Sequence, residues 1–239
     1  MHASALVTGA SSGLGEAVAR RLGRDGMAVF GLDRQPRAGV ITGDVTSATD
    51  VSQAIAAAAA QAPLRVAVSC AGVAHATRLV SSDGPHDLDL FRRTIETNLI
   101  GSFNVLRLAA EAMRRNDPDG DAQRGVIVMT ASIAAFDGQI GQTAYAASKG
   151  AVATLTLPAA RDLARDGIRV VTVAPGIFDT PLLAGLPAPA REALARSVPN
   201  PARLGQPDEF ADLVAAIVAI PMLNGETIRL DGALRMAPR

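Results

Sequence analysis

The chain has 239 residues, of which 49% are hydrophobic and 19% charged; this is the composition of a globular protein with a sizeable core. Lysine plus arginine equals aspartate plus glutamate at 23 each, so no basic excess favours nucleic acid or an anionic membrane. The longest nearly continuous apolar run, residues 213–223, is too short to cross a bilayer.

The cysteine content and the start of the chain narrow the cellular context. The single cysteine, Cys70, cannot form an internal disulfide, and no Cys/His cluster has metal-ligand spacing. An apolar strand that begins by Ser4 leaves no room for a signal peptide. We therefore expect a cytoplasmic, metal-free protein without nucleic-acid or membrane partners.

Short β-prone apolar segments alternate with longer segments of helical periodicity. Strands are predicted at residues 4–9, 27–33, 65–72, 125–132, 168–176 and 226–232, with a strand-like segment at 39–42. Helices are predicted at residues 15–24, 48–61 and 90–114. The pattern predicts one α/β domain over residues 1–239. It is a single-domain Rossmann fold, with a doubly wound parallel sheet of about seven strands and helices on both faces.

The first predicted strand runs into the glycine-rich stretch TGASSGLG, residues 8–15. Glycines allow a tight turn and let backbone N–H groups approach a pyrophosphate at the N-terminus of the next helix. Because the stretch follows a strand and opens a helix, it predicts a dinucleotide site rather than a purely structural turn. The residues assigned to it are Gly9, Ser11, Ser12, Gly13, Leu14 and Gly15.

Acidic residues follow the next two strands. Asp33 ends the second strand, where a carboxylate accepts hydrogen bonds from ribose hydroxyls and repels a 2′-phosphate, which favours NAD over NADP. Arg34 could bind that phosphate, but we interpret it as a solvated loop residue. Asp44 and the Val45 backbone could bind the adenine; a helix N-cap at Asp44 or Thr46 is an equal alternative.

The only tyrosine, Tyr145, stands four residues before Lys149 in the stretch TAYAASKG. In a helix that begins near Thr143, these two side chains lie one turn apart on the same face. An ammonium close to the phenolate would lower the tyrosine pKa by roughly two units, towards a value useful for acid–base chemistry. Ser132, at the end of the preceding strand, can donate to the same substrate oxygen.

Seven features in this order resemble the short-chain dehydrogenase/reductase family: the glycine turn, Asp33, Asn98, Ser132, Tyr145, Lys149 and Pro175–Gly176. The resemblance implies that Tyr145 is the general acid/base, Ser132 orients the substrate oxygen, Lys149 binds the nicotinamide ribose, and Asn98 holds a water. It also implies cofactor contacts by further residues at strand ends, which are Cys70, Ala71, Gly72, Pro175, Gly176, Ile177 and Thr180. We interpret Cys70 as a small buried hydrophobe rather than a nucleophile.

Several longer stretches are similar to the NAD-dependent 3-hydroxyacyl-CoA dehydrogenases of the short-chain type. The resemblance implies a homotetramer that interconverts 3-hydroxyacyl-CoA and 3-ketoacyl-CoA. It also implies activity on some acyl chains with a 2-methyl branch. Interface candidates are the apolar helix region 213–220 and the C-terminal strand. A hydroxysteroid or small secondary-alcohol dehydrogenase, and a non-catalytic NAD-sensing protein, stay open as alternatives.

The substrate is expected to lie under a lid at residues 181–204, a long segment whose leucines at 182, 183, 186 and 194 predict one or two short amphipathic helices. Arg191, Arg196 and Arg203 could meet coenzyme A phosphates, although a solvated helix face is the more ordinary role for each. Gln142 could bind the thioester carbonyl or cap the helix that follows it.

Overall fold

The computed structural model describes residues 3–238, apart from the side chain of Leu182. Within this range seven parallel strands form one sheet. The strands are β1 (Ser4–Thr8), β2 (Ala28–Asp33), β3 (Val40–Thr42), β4 (Leu64–Ser69), β7 (Gly125–Thr130), β8 (Ile168–Pro175) and β9 (Thr227–Leu230). Their order in the sheet is β3-β2-β1-β4-β7-β8-β9. The predicted doubly wound sheet is confirmed, and its strand order reverses between β1 and β4, where ligands bind in open α/β sheets.

The central strands are buried on both faces, because their apolar residues alternate between two cores. Leu6, Ala67 and Ile127 point into one core, and Ala5, Val7 and Val66 point into the other. A strand with apolar residues on both faces is stable only when helices cover both faces of the sheet. All eight residues of β8 are buried, as expected of a strand in the interior of the sheet.

Helices cover the two faces as follows. The helices are α1 (Gly13–Arg24), α2 (Ala48–Gln61), α3 (Leu88–Ile95), α4 (Gly101–Met113), α5 (Thr143–Asp162), α6 (Pro181–Ala184), α7 (Ala188–Ser197) and α8 (Pro207–Ala219). α2, α4 and α5 pack into the core that holds Leu6. α1 and α8 pack into the core that holds Val7.

The predicted helix at residues 90–114 is divided in three. α3 and α4 are joined by a π-helical turn at Glu96–Ile100, which contains Asn98. π-turns inside helices are rare and frequently occur at functional sites. Before α3 the chain forms a small antiparallel hairpin, β5 (Val80–Ser81) and β6 (Gly84–Pro85), that sequence patterns did not predict.

The apolar helix region 213–220, predicted to form a subunit interface, uses part of its apolar surface within the chain, while Ile220 stays 46% exposed, so the interface stays a prediction. Phe210, Val214 and Ile217 are fully buried, because α8 packs its apolar face against α1 within the same chain. A second apolar surface stays exposed on α4, α5 and the end of the π-turn, where Ile100, Phe103 and Leu157 keep 41%, 44% and 44% of their areas accessible.

No helix in the described part of the chain is long and apolar enough to cross a membrane. Among residues 3–238, no three His, Cys, Asp or Glu side chains come together in a way that would hold a metal ion.

Candidate active site at the carboxyl edge of the sheet

The glycine-rich turn lies between the end of β1 and the start of α1. Gly9 has a positive φ of 66°, and a Cβ there would lie 2.9 Å from the Ala71 nitrogen. A Cβ on Gly15 would lie 2.2 Å from the Gly9 carbonyl oxygen, so only glycine lets α1 pack against the turn. The Ser12 side chain makes no capping hydrogen bond to the first turn of α1. The first N–H groups of α1 are therefore available to an anion, as a bound pyrophosphate requires.

Asp33 at the end of β2 is tied to this turn. One carboxylate oxygen accepts the Ser11 N–H at 3.0 Å, and the other accepts the Gln35 N–H at 2.9 Å. Each oxygen keeps further lone pairs for ribose hydroxyls. Arg34 is exposed and turned towards Asp44, with 3.5 Å between Nε and the carboxylate, which agrees with its interpretation as a solvated residue. Arg37 instead reaches the turn, donating to the Ser11 carbonyl at 2.5 Å and to Glu16 at 2.6 Å.

Asp44 and Val45 follow β3. The Asp44 carboxylate accepts hydrogen bonds from the N–H and the hydroxyl of Thr46 at 2.9 and 2.8 Å, which forms a local turn. The N-cap of α2 is Ser47, whose hydroxyl accepts the Asp50 N–H, so the alternative of a cap at Asp44 or Thr46 is wrong. Val45 is buried, and its carbonyl accepts from Asn104 at 2.8 Å. The segment Asp44–Val45 is therefore held in place between β3 and α4.

The segment after β4 is held by Thr8. The buried Thr8 hydroxyl oxygen accepts the N–H groups of Cys70 and Ala71, both at 3.2 Å. These two N–H groups are therefore occupied by the protein itself. A Cβ on Gly72 would lie 3.1 Å from the Asn98 side-chain oxygen and 3.4 Å from Lys149 Nζ, so Gly72 leaves space where those two side chains meet.

Asn98 uses its amide within the protein. Its Oδ1 accepts the Val73 N–H at 2.8 Å, and its Nδ2 donates to the Val73 carbonyl at 2.9 Å and to the Ser148 hydroxyl at 3.0 Å. Both amide hydrogens are therefore occupied. A water near Asn98 would have to use its backbone or the remaining lone pair of Oδ1.

Ser132, Tyr145 and Lys149 converge where β7 ends and α5 begins. Ser132 follows β7 and caps the short 3₁₀ turn Ile133–Ala135, accepting the Ala134 N–H at 3.1 Å. Lys149 Nζ lies 5.9 Å from the centre of the Tyr145 ring and donates to the Thr130 carbonyl at 2.8 Å. Two polar groups and one cation thus surround one point at the carboxyl edge of the sheet.

Burial dominates the electrostatics of this group. It raises the pKa of the Tyr145 phenol, and a hydrogen bond with the Ser132 hydroxyl opposes that rise. Burial also lowers the pKa of the Lys149 ammonium to about 8. The predicted lowering of the Tyr145 pKa by Lys149 is therefore wrong for the ligand-free protein, because desolvation disfavours both charged forms. Desolvation raises the pKa of the partly buried Cys70 thiol to about 11, so this thiol is not activated as a nucleophile.

The residues after β8 lie next to the glycine turn. A Cβ on Gly13 would lie 3.4 Å from the Thr180 side chain, so this threonine faces the start of α1. Gly176 follows Pro175, and its N–H donates to the Leu230 carbonyl of β9 at 2.9 Å. The Ile177 carbonyl accepts the Gly205 N–H at 2.9 Å. Residues 175–180 therefore form one wall of the cleft.

The lid segment contains the two short helices α6 and α7, which agrees with the predicted helical pattern; the side chain of Leu182 lies outside the described residues. Its arginines, however, are paired with carboxylates. Arg191 contacts Asp179 at 2.5 Å and Arg203 contacts Glu209 at 2.7 Å, while the more exposed Arg196 lies 3.6 Å from Glu192. Binding of coenzyme A phosphates by these residues would require those pairs to open.

Gln142 takes the N-cap position of α5 without capping it by its side chain. The amide exchanges two hydrogen bonds with Gln139, both at 3.3 Å. The predicted helix cap is therefore absent in its side-chain form, and the contact with a thioester stays a prediction.

Three hydrogen bonds that hold the site were not predicted from the sequence. The Thr8 hydroxyl accepts from the Cys70 N–H, the Thr130 carbonyl accepts from Lys149, and the Ser148 hydroxyl accepts from Asn98. The bonds Thr8–Cys70 and Ser148–Asn98 join residues at least 50 positions apart, so no local sequence pattern predicts them. One compositional signal was available for Lys149, which is the only lysine among 23 lysines and arginines. Arginine stays charged in proteins, whereas a buried lysine can change its pKa.

Residues 3–190 match the family described as short chain dehydrogenase. The chain belongs to this family of oxidoreductases, as the sequence motifs predicted. The site and the fold thus define a dehydrogenase scaffold.

Individual relatives are more specific. The chain is 50% identical over 252 residues to the 3-hydroxyacyl-CoA dehydrogenase type-2 of Drosophila melanogaster, with 99% of both chains covered. It is 49% identical to the Homo sapiens protein of the same name. That alignment covers 98% of this chain and 95% of the human protein. A crystal structure of 3-hydroxyacyl-CoA dehydrogenase type-2 from Mycobacterium avium superposes with a TM-score of 0.96 at 44% identity, covering 99% and 97% of the chains.

Proposed function

We propose that this protein is an NAD-dependent dehydrogenase that interconverts 3-hydroxyacyl-CoA and 3-ketoacyl-CoA. The observation that carries the proposal is the convergence of Ser132, Tyr145 and Lys149 beside the glycine turn. The relatives named 3-hydroxyacyl-CoA dehydrogenase type-2 match nearly the full chain, which supports the acyl-CoA class.

NAD fits the residues present. The open first turn of α1 suits a pyrophosphate, and the oriented Asp33 carboxylate suits the ribose hydroxyls while disfavouring a 2′-phosphate. We further assign Asp44 and Val45 to the adenine, and Thr180 with the Ile177 backbone to the carboxamide. When bound, NAD accepts the hydride that leaves the substrate carbon.

The proton chemistry belongs to the chain itself. Tyr145, as phenolate, removes the proton of the substrate hydroxyl, and Ser132 donates a hydrogen bond that holds the same oxygen. In the opposite direction the Tyr145 hydroxyl returns the proton. Lys149 supplies the positive charge next to the phenolate. Asn98 donates to the Val73 carbonyl and so holds the segment after β4 against the π-turn.

Burial raises the pKa of the Tyr145 phenol, so little phenolate is present at neutral pH. Its role therefore requires the phenolate to be stabilised when ligands fill the cleft. The Lys149 ammonium is the nearest candidate, since it shares the same face of α5. Ordered water or cofactor hydroxyls would add to this stabilisation.

The lid role of residues 181–204 is part of the proposal. In support, α6 and α7 follow β8, and Pro181 at the start of α6 lies near Gly13 of the glycine turn, where a cover over an acyl chain would begin. A steroid would suit an apolar lid equally well, so a hydroxysteroid dehydrogenase is the alternative. A non-catalytic NAD sensor is disfavoured, because it would have no need of Ser132, Tyr145 and Lys149 together.

A substrate comparison tests the proposal. Reduction of acetoacetyl-CoA with NADH should have a kcat/KM at least about tenfold above that of a keto-steroid or of free acetoacetate. The Tyr145→Phe variant provides the blank for each substrate. A better turnover of the steroid or the free ketoacid would remove the acyl-CoA assignment and leave the dehydrogenase class in place.

A homotetramer and a cytoplasmic location also belong to the proposal. The first rests on the family resemblance and on the exposed apolar surface of α4 and α5. The second rests on the single, unpaired cysteine.

A further inference from the structure

A single hydroxyl connects the π-helical turn to the helix that carries Tyr145 and Lys149. Ser148 lies on α5 with none of its surface exposed. Its hydroxyl donates to the Tyr145 carbonyl at 2.7 Å and accepts from Asn98 Nδ2 at 3.0 Å. The one hydrogen and one of the two lone pairs of the hydroxyl are thereby used.

The position of Ser148 is unusual for a structural serine. Inside a helix, a serine hydroxyl that bonds back to its own helix slightly weakens that helix, and a buried alanine would fit α5 better by propensity. Ala144, one turn before Ser148 on the same helix face, is indeed a buried alanine. The hydroxyl is therefore best explained by its partner on the other element, Asn98.

Asn98 is itself held from two sides. Val73 binds the amide with both its N–H and its carbonyl, which ties the segment after β4 to the π-turn. Ser148 supplies the only contact of this amide to α5 among the hydrogen bonds of the described residues. A Cβ on Gly72 would lie 3.1 Å from Asn98 Oδ1 and 3.4 Å from Lys149 Nζ, so both side chains border the same glycine.

We infer that Ser148 is a positioning residue, which sets the placement of Asn98 and the π-turn relative to Tyr145 and Lys149. Its hydroxyl bonds the Tyr145 carbonyl and Asn98 Nδ2, and it acts through Asn98. The inference rests on the proposed dehydrogenase function, because its readout is turnover.

The test is a double-mutant cycle on the full-length protein, with acetoacetyl-CoA and NADH as the probe. Ser148→Ala should lower kcat about tenfold, with the KM for NADH within about twofold of the original value. In an Asn98→Ala background, the same substitution should change kcat by less than about twofold, because its route of action is already lost.

Thr156→Val is the matched control. Thr156 has a buried hydroxyl on the same helix. This hydroxyl donates to the Val152 carbonyl at 3.1 Å and is hydrogen-bonded to the Thr172 hydroxyl at 2.6 Å. Its removal should destabilise the protein as a lost buried hydrogen bond does, while kcat stays within about twofold of wild type. This control separates positioning from loss of stability.

The pH profile gives a second readout that needs no Asn98 variant. In Ser148→Ala the pH at which kcat/KM is half-maximal should move, because the distance between Tyr145 and its charged neighbour changes; in Thr156→Val it should stay in place. The inference would be overturned if Ser148→Ala kept the wild-type kcat and pH profile. It would also be overturned if the loss of kcat in the double variant equalled the product of the losses in Ser148→Ala and Asn98→Ala. Failure of the proposed function has a different signature, namely no turnover by wild type or full turnover by Tyr145→Phe.

Discussion

The backbone N–H of Ser11 donates to the Asp33 carboxylate at 3.0 Å, so one side chain joins the glycine-rich turn to the end of β2. The second oxygen of the same carboxylate orders the chain that follows β2 through the Gln35 N–H. The residue assigned to cofactor choice is therefore also a structural part of the cofactor-binding turn. Substitutions at this position must be designed to separate the two roles.

Asp33→Ala should narrow the preference for NAD over NADP, because the charge that repels a 2′-phosphate is removed. It should also lower the free energy of unfolding by about 1 kcal/mol, since two backbone N–H groups lose their acceptor. The measurements are kcat/KM with each cofactor and urea unfolding.

Asp33→Asn is the matched variant, since it removes the charge and keeps an oxygen acceptor. It should change the cofactor preference with a smaller loss of stability. A wild-type enzyme that prefers NADP would contradict the assignment of Asp33.

Tyr145→Phe should reduce turnover by at least about a hundredfold, the lower range for losing a general acid/base. The ring is retained, so the affinity for NAD, measured by calorimetry, should change little. Near-normal turnover of this variant would refute the proton chemistry proposed for Tyr145.

The Tyr145 pKa can be read directly, because the chain has one tyrosine and no tryptophan. Burial raises this pKa, so tyrosinate absorbance in the ligand-free protein should rise only above pH 10, the ordinary value. Tyr145→Phe supplies the spectroscopic baseline. A tyrosinate signal that is already complete at pH 9 would show that Lys149, rather than burial, dominates in the free protein.

Lys149 can be titrated in the same way, as the single lysine of an untagged chain. Lysine-labelled protein should show one side-chain NMR signal that titrates near pH 8 instead of 10.5. Between these values the unfolded chain binds more protons than the folded one, so this lysine makes stability rise with pH, by at most about 1.4 kcal/mol per pH unit.

Lys149→Met should remove that contribution. The stability of wild type relative to the variant should therefore increase from pH 8 towards pH 10.5, as measured by urea unfolding. Titration of the Lys149 signal above pH 10 would contradict both expectations.

Light scattering should give the mass of a tetramer at micromolar concentration. Phe103→Arg, on the exposed apolar surface of α4 and α5, should shift the mass downwards, because an arginine there is costly to bury between subunits. Leu79→Arg is the control on the hairpin side, where Leu79 is 66% exposed. A monomeric wild-type protein would refute the assembly.

The sequence by itself determined the fold class, the glycine turn and the order of Ser132, Tyr145 and Lys149, because these signals are local. Apolar runs mark strands, period-four spacing places Tyr145 and Lys149 on one helix face, and glycine marks a turn, all within a few residues. The tertiary structure alone decided that burial favours the neutral forms of Tyr145 and Lys149, and which apolar face of α8 packs within the chain. It also decided that Asn98 has no free amide hydrogen and that the lid arginines have carboxylate partners. Desolvation and hydrogen-bond pairing depend on residues brought together from distant positions, such as Asn98 and Ser148, and no local pattern contains that information.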